Sequence, residues 1–298
     1  MNFNKINYYN ESGKTSNLSI SLFVLSGLLL ITVLGYLYAS LILFIPILYF
    51  NFLITIGYAF AVSFVTRILS IAFKIRNRKK TISINIVFAL FAVYIQWVSY
   101  IFLISFENNY FIQIINNFDY FLLLLIRPDL VVLDIIEISK VGLWSIGSSG
   151  VYLRGLVLWL VWLVEASIII FVAWNNFRQF EIIPFSEKDN KWFKKRVFDF
   201  DFEYIPLKKQ FIDDFEKNPS EAISQLKRGN GLRHSKITLY QSETETKSII
   251  SIDNIIITQR GKGKKDITKV LKLSYIDNNY LIDLKSKFRL KKASIFDN

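Results

Sequence analysis

Apolar positions dominate the first half of the chain in long runs that are nearly free of charge. From Leu18 to Phe73 only Arg67 carries a charge. This run of 56 residues far exceeds the roughly 20 that cross a bilayer as one helix, so it must fold back on itself. The turn is placed in IPILYFN, residues 45–51, where Pro46 lacks a backbone donor and Asn51 is polar. Helices are expected over about 18–44 and 51–73. Two further runs, 82–106 and 153–174, are interrupted only by Arg154 and Glu165 and complete a set of four spans. A secretory leader has an apolar core of only about 7 to 15 residues, so the first run reads as a span.

Between the third and fourth runs, Phe118 to Ile126 is nearly all apolar but too short to span, which predicts a segment dipping into the interface or packed on the helices. From Asp129 to Val141, Asp134, Glu137 and Lys140 recur at every third position and predict an amphipathic helix with a narrow wet face. The glycines around WSIGSS (144–149) predict a hairpin into the fourth span, and no GxxxxGK[ST] phosphate loop is present.

After residue 174 the pattern changes. Arg196 to Ile205 alternates, with Phe198, Phe200, Phe202 and Tyr204 on one face of a predicted strand and Asp199, Asp201 and Glu203 on a wet face. A helix is expected over 206–217 and another from Asn218-Pro219-Ser220-Glu221, closed by Gly229 and Gly231. Strands are expected at 236–240, 249–258, 270–276 and 280–284, the last two joined by a turn at 277–279. The predicted architecture is a polar segment (1–17), a four-helix membrane domain (18–174) and a cytoplasmic α+β domain (175–298) with a mainly antiparallel sheet.

Charge adds an orientation. Lys74, Arg76, Arg78, Lys79 and Lys80 fall within seven residues at a helix end, and a second basic run follows the fourth span. The loop from 107 to 152 carries five acids and two bases before Arg154. The positive-inside rule then puts both termini in the cytoplasm of a multi-pass inner-membrane protein. Net charge is +12, of which +8 lies from residue 175 onward. For a chain already in a bilayer, the anionic leaflet is the first partner such charge meets, so Lys74, Arg76, Arg78, Lys79, Lys80, Arg260, Lys262, Lys264 and Lys265 read as contacts to an anionic surface. Nucleic acid is not expected as a partner.

The absence of cysteine and the single His234 exclude disulfides, thiolate chemistry and cysteine-ligated or histidine-cluster metal sites. No cofactor, metal or catalytic constellation is expected. His234 reads as a surface or strand-edge residue. The candidate site is Glu165, with Arg67 and Gln96, because ionisable groups at membrane depth usually face a protein interior or water. If the fourth helix ends near Asn175, Glu165 stands roughly 15 Å and Arg67 roughly 10 Å above the inner ends of their helices, within reach of each other. Paired, they would hold two helices in register; unpaired, Glu165 would be protonated.

The segments WSIGSSG (144–150), GLVLWLVWLVEASIII (155–170) and YFNFLITIGYAF (49–60) resemble uncharacterised multi-spanning membrane proteins of Bacteroidota. The resemblance covers the membrane half and implies no activity. The sequence is read first as a membrane subunit or scaffold. Its basic domain would bind a protein partner or anionic headgroups, and the chain could form a homo-oligomer or join a partner membrane or cytoplasmic protein. The alternative is an oligomeric channel or transporter, gated by a ligand on the cytoplasmic domain, with Glu165, Arg67 and Gln96 in its path.

Overall fold

The computed structural model describes residues 6–45, 47–106, 116–145, 152–229, 231–258 and 264–293. Four helices are long and apolar enough to cross a membrane, and a C-terminal α+β region follows them. The chain divides into two compact units, residues 13–180 and residues 1–12 with 181–298.

The spanning helices of the first unit are α1 (Asn17–Phe44), α2 (Leu48–Ala72), α3 (Arg78–Ile104) and, later in the chain, α6 (Leu156–Gln179). α1 lies on α3 through two glycines. A Cβ at Gly27 would stand 2.1 Å from Phe88 Cζ, and one at Gly35 would stand 2.8 Å from Ile95 Cγ2. Small residues thus set the helix separation, as expected where lipid gives no hydrophobic drive between helices. The opposite face of α1 exposes Leu18, Leu25, Leu29 and Val33, and α6 likewise exposes Leu156, Leu160 and Leu163.

Boundaries differ from expectation where polar residues continue a helix. α2 stops at Ala72, with Phe73 as its C-cap, because Lys74 takes a left-handed conformation (φ 55°). Asn77 caps α3 by accepting from the Lys80 amide at 3.0 Å, so the basic residues Arg78 to Lys80 form the first turn of α3 and do not precede it. α6 runs through Asn175 and Asn176 to Gln179, because its last carbonyls find a donor: Arg78 donates to the Arg178 and Phe180 oxygens at 2.7 and 3.0 Å.

The connection between α3 and α6 contains α4 (Phe118–Ile126) and the amphipathic α5 (Pro128–Val141). α4 buries Phe121 and Leu124 against α3, whose Tyr94 hydroxyl reaches the Leu124 and Leu125 carbonyls. On α5, Glu137 pairs with Lys140 at 2.7 Å, yet Val132, Leu133 and Ile136 are exposed as well, so its outer surface is apolar beside the charged stripe. Strands β1 (Leu143–Ser145) and β2 (Tyr152–Leu153) pair antiparallel, and Gly155 (φ 60°) opens α6. The glycine-rich stretch 146–150 and Pro46 lie outside the described residues.

The second unit contains β3 (Phe185–Ser186), β4 (Lys191–Trp192), β5 (Lys194–Phe198), β6 (Phe202–Glu203), α7 (Lys208–Lys217), α8 (Pro219–Ser224), β7 (Arg233–Gln241), β8 (Lys247–Thr258), β9 (Lys264–Asp277), α9 (Asn278–Lys287) and β10 (Leu290–Lys292). The sheet runs β10-β5-β7-β8-β9, with β6 also on β7 and every pair antiparallel. One face buries Ile237, Leu239, Ile250, Ile252 and Leu271 with Phe211 and Phe215 of α7, Ile223 of α8, and Leu281 and Leu284 of α9.

Three sequence expectations are corrected here. The strand at 196–205 is interrupted: Val197 pairs with Thr238, but Phe202 pairs with Ser235 where an unbroken register would give Arg233. The slip of two residues keeps Phe198 and Phe202 on the same face, edge-on at 5.1 Å, and lets Phe200 join them and Phe288 in one aromatic cluster. Residues 280–284 are helical, not a strand, since Leu281 and Leu284 face the core while Ile282 is exposed. The helix begun at Pro219 ends at Ser224, before either glycine, and Gly229 instead packs on the Phe202 carbonyl, where a Cβ would clash at 2.4 Å.

The polar N-terminal segment also has structure. Tyr8 bridges to Ser274, the Tyr9 amide donates to Leu273 O at 2.8 Å, and the Tyr275 amide donates to Asn7 O at 2.8 Å. Residues 7–9 therefore cover the free edge of β9. The Tyr9 hydroxyl accepts from the Phe185 amide at 3.0 Å, and burial holds that phenol above its ordinary pKa.

Candidate functional site

Within the four-helix unit, α2 carries Asn51, Thr55, Ser63, Thr66, Arg67 and Ser70 as a buried polar stripe at spacings of three, four and eight. Such residues are costly in contact with lipid and become tolerable by turning inward and bonding to one another or to free carbonyls. Thr55 Oγ1 bonds to the Tyr38 hydroxyl of α1 at 2.9 Å and donates to Asn51 O. The Tyr58 hydroxyl donates to Ala92 O of α3, and its ring stacks on Tyr38 at 4.6 Å. Further along, Asn176 of α6 meets Ser63, and Asn85 of α3 donates to Ala173 O. A line of polar contacts thus runs through an interior otherwise filled by apolar side chains such as Phe23, Ile31, Phe88 and Ile95, while the outer faces are apolar.

Glu165 and Gln96 come together in this interior. Each is only 5% exposed, and both line one cavity of about 30 Å³ with Tyr38, Trp97, Tyr100 and Trp162 among its walls. Glu165 Oε1 and Gln96 Oε1 are buried without a hydrogen-bond partner among the described residues. No Lys, Arg or His of the described residues lines the cavity. Trp97 and Trp162 meet edge to face at 4.8 Å, which fixes one wall.

Arg67 does not line that cavity. It is buried, and its guanidinium lies 5.3 Å over the Phe180 ring. Thr55, bonded to the cavity residue Tyr38, stands twelve residues before Arg67, or roughly 18 Å along α2. Sequence reasoning brought Arg67 level with Glu165 by ending the fourth helix near Asn175. The helix ends at Gln179, which puts Glu165 roughly 20 Å from that end. The residues missing from the sequence-based cluster are Tyr38, Thr55 and Tyr58. The spacing of Asn51, Thr55, Ser63 and Arg67 in multiples of four was the signal that could have found the first of their helix contacts.

The basic residues divide by role. Arg78 caps α6, Lys79 and Lys80 are exposed, and Lys74 holds the left-handed turn. Lys264 and Lys265 open β9, while Arg260 and Lys262 lie outside the described residues. His234 is buried in β7, corrected from the expected surface position. Its Nδ1 lies 2.9 Å from Gly231 O and its Nε2 3.6 Å from Asp201. Of the acidic row, Asp201 faces this histidine and Glu203 accepts from the Lys227 amide at 3.0 Å. Glu181 holds the buried Lys195 ammonium at 2.6 Å and accepts from the Tyr240 hydroxyl. No group of three potential metal ligands occurs among the described residues.

With this geometry in hand, comparison with family models, curated proteins and solved structures finds no match to the chain.

Proposed function

We propose that the chain is a multi-pass membrane subunit whose N-terminal segment and C-terminal domain both lie in the cytoplasm, and whose domain presents a basic sheet edge to anionic headgroups. The observation that carries this is a like-charge pair. Arg196 of β5 stands directly opposite Lys292 of the edge strand β10. Elsewhere in the sheet charged neighbours are complementary: Lys236 with Asp253, Lys247 with Asp277, and Asp253 with Lys269. Like charges in register cost on the order of 0.2–1 kcal/mol, a cost offset when an anion lies across them. The exposed Lys291 adds a third cation at the same edge, on the other face of β10.

Placement on one side of the bilayer is supported by the pairing of residues 7–9 with β9, which requires an even number of spans between them. The basic residues 74–80 support the cytoplasmic side. An acidic face on a partner protein would satisfy the same charges. Kinship with the Bacteroidota membrane proteins belongs to this reading as well.

The test is hydrogen exchange on the full chain in nanodiscs of zwitterionic lipid, with and without anionic lipid. The reading requires slower exchange in 194–198 and 290–292 when anionic lipid is present, abolished by Arg196→Ala with Lys292→Ala. Equal exchange in both lipids sinks it. The channel or transporter reading stands second, and the unpartnered Glu165 oxygen is the observation that favours it.

A further inference from the structure

The cavity between α1, α3 and α6 poses a chemical problem independent of the basic sheet edge. Two side-chain oxygens, Glu165 Oε1 and Gln96 Oε1, are buried there with no donor among the described residues. A carboxylate left ionised in such a place forfeits several kcal/mol of solvation unless a positive charge compensates it. None of the described lining residues is basic, and the titratable groups facing Glu165 there are Tyr38 of α1 and Tyr100 of α3, neither of which carries positive charge. The Tyr38 hydroxyl is already engaged with Thr55. Arg67 of α2 is held at Phe180, far along the helix. The missing charge must therefore come from a bound cation.

The size of the cavity and its ligand count choose among cations. About 30 Å³ exceeds the roughly 10–15 Å³ that a single water occupies, yet leaves no room for a hydrated metal ion. Alkaline-earth cations take six or more oxygens, and this cavity offers two unengaged ones. A proton needs only one oxygen. Bound to Glu165, it converts an acceptor into a donor, and one water can then accept from the carboxyl and donate to Gln96 Oε1. That arrangement pairs both orphaned oxygens with no change of backbone.

We propose that the Glu165–Gln96 cavity is a membrane-embedded proton-binding site in which one water joins the protonated carboxyl to the Gln96 amide oxygen. The step balances simply: the carboxylate takes a proton from the aqueous phase, one O–H bond forms, and a charge is neutralised inside the bundle. This deepens the transporter reading but does not require net flux. A site that only loads and unloads from one side would satisfy it equally.

The test is infrared difference spectroscopy on the full chain in nanodiscs, between acid and alkaline buffer in light and heavy water. A protonated carboxyl band that persists where surface carboxylates are ionised, is lost in Glu165→Gln and moves to higher frequency in Gln96→Leu supports the site. The second variant guards against misfolding, because it keeps the acid and alters only its hydrogen bond. Absence of the band in the native chain, or a band indifferent to Gln96→Leu, overturns the proposal. Loss of the band on adding sodium at constant pH overturns the proton in favour of an alkali cation. Proton flux into proteoliposomes is measured alongside: a positive band without flux keeps the site and removes the transporter reading.

Discussion

Substituting Gly27 by Ala tests how tightly the membrane helices are locked. The new Cβ would stand 2.1 Å from Phe88 Cζ and 2.5 Å from Cε2, whereas carbon atoms prefer about 3.5–4.0 Å. Phe88 has no simple retreat, since it is fully buried and edge-on to Phe23 at 5.6 Å. Overpacking of this kind costs about 1–3 kcal/mol. Gly57 supplies the control, because a Cβ there meets nothing within 4 Å. Both changes carry the same helix-propensity gain of up to about 1 kcal/mol, so the gap between the two variants isolates the clash. Unfolding in mixed micelles should rank Gly57→Ala at or above the parent and Gly27→Ala below it by about 1–3 kcal/mol. Adding Phe88→Leu to Gly27→Ala should recover part of the loss, so the pair is non-additive. Equal stability of the two alanine variants, or simple additivity in the pair, would refute the close packing of α1 on α3.

Three further outcomes are expected. Burial raises the Asp253 carboxyl above its ordinary value, so its contribution to stability is fullest below the unfolded-state pKa and declines as pH rises through the folded-state one. Asp253→Asn should remove that decline from thermal-denaturation curves, and an unchanged pH profile would count against the burial. Asp189 behaves oppositely: hydrogen bonds from the Thr244 hydroxyl and amide and the Glu243 amide lower its pKa. The stability it adds is present above the unfolded-state value and lost as pH falls, so Asp189→Ala should flatten the acid limb. Tyr9→Pro removes the donor to Leu273 O at a cost of about 0.5–1.5 kcal/mol, and should accelerate amide exchange at Tyr275, while unaltered exchange there would refute edge pairing.

Helix number was legible because an apolar run of bilayer length fits a spanning helix and little else, and the α+β character of the second unit followed from alternation and turn residues. Long-range partners were not legible. Nothing in Asn7-Tyr8-Tyr9 announces pairing with Leu273 and Tyr275, because sheet edges are completed by chain segments without regard to sequence distance. Residues 280–284 read as a strand although Leu281, Leu284 and Phe288 carry helical spacing, because the neighbouring Asp277-Asn278-Asn279 resembles a hairpin turn and outweighs it. Glu165 and Gln96 were found from polarity within apolar runs. Arg67 reads as level with them only while α6 is taken to end near Asn175; its true end depends on a side chain from α3, through the Arg78 cap.

The central claim, four spans with both ends of the chain in the cytoplasm, can be tested in intact cells because the native chain contains no cysteine. Single cysteines are placed at Glu137 on α5, at Lys79 at the start of α3 and at Ser242 beyond β7, and probed with a membrane-impermeant maleimide. The account predicts labelling of the Glu137 variant in intact cells and of the Lys79 and Ser242 variants only after permeabilisation. Labelling of Lys79 or Ser242 from outside, or of all three positions from the same side, would contradict it.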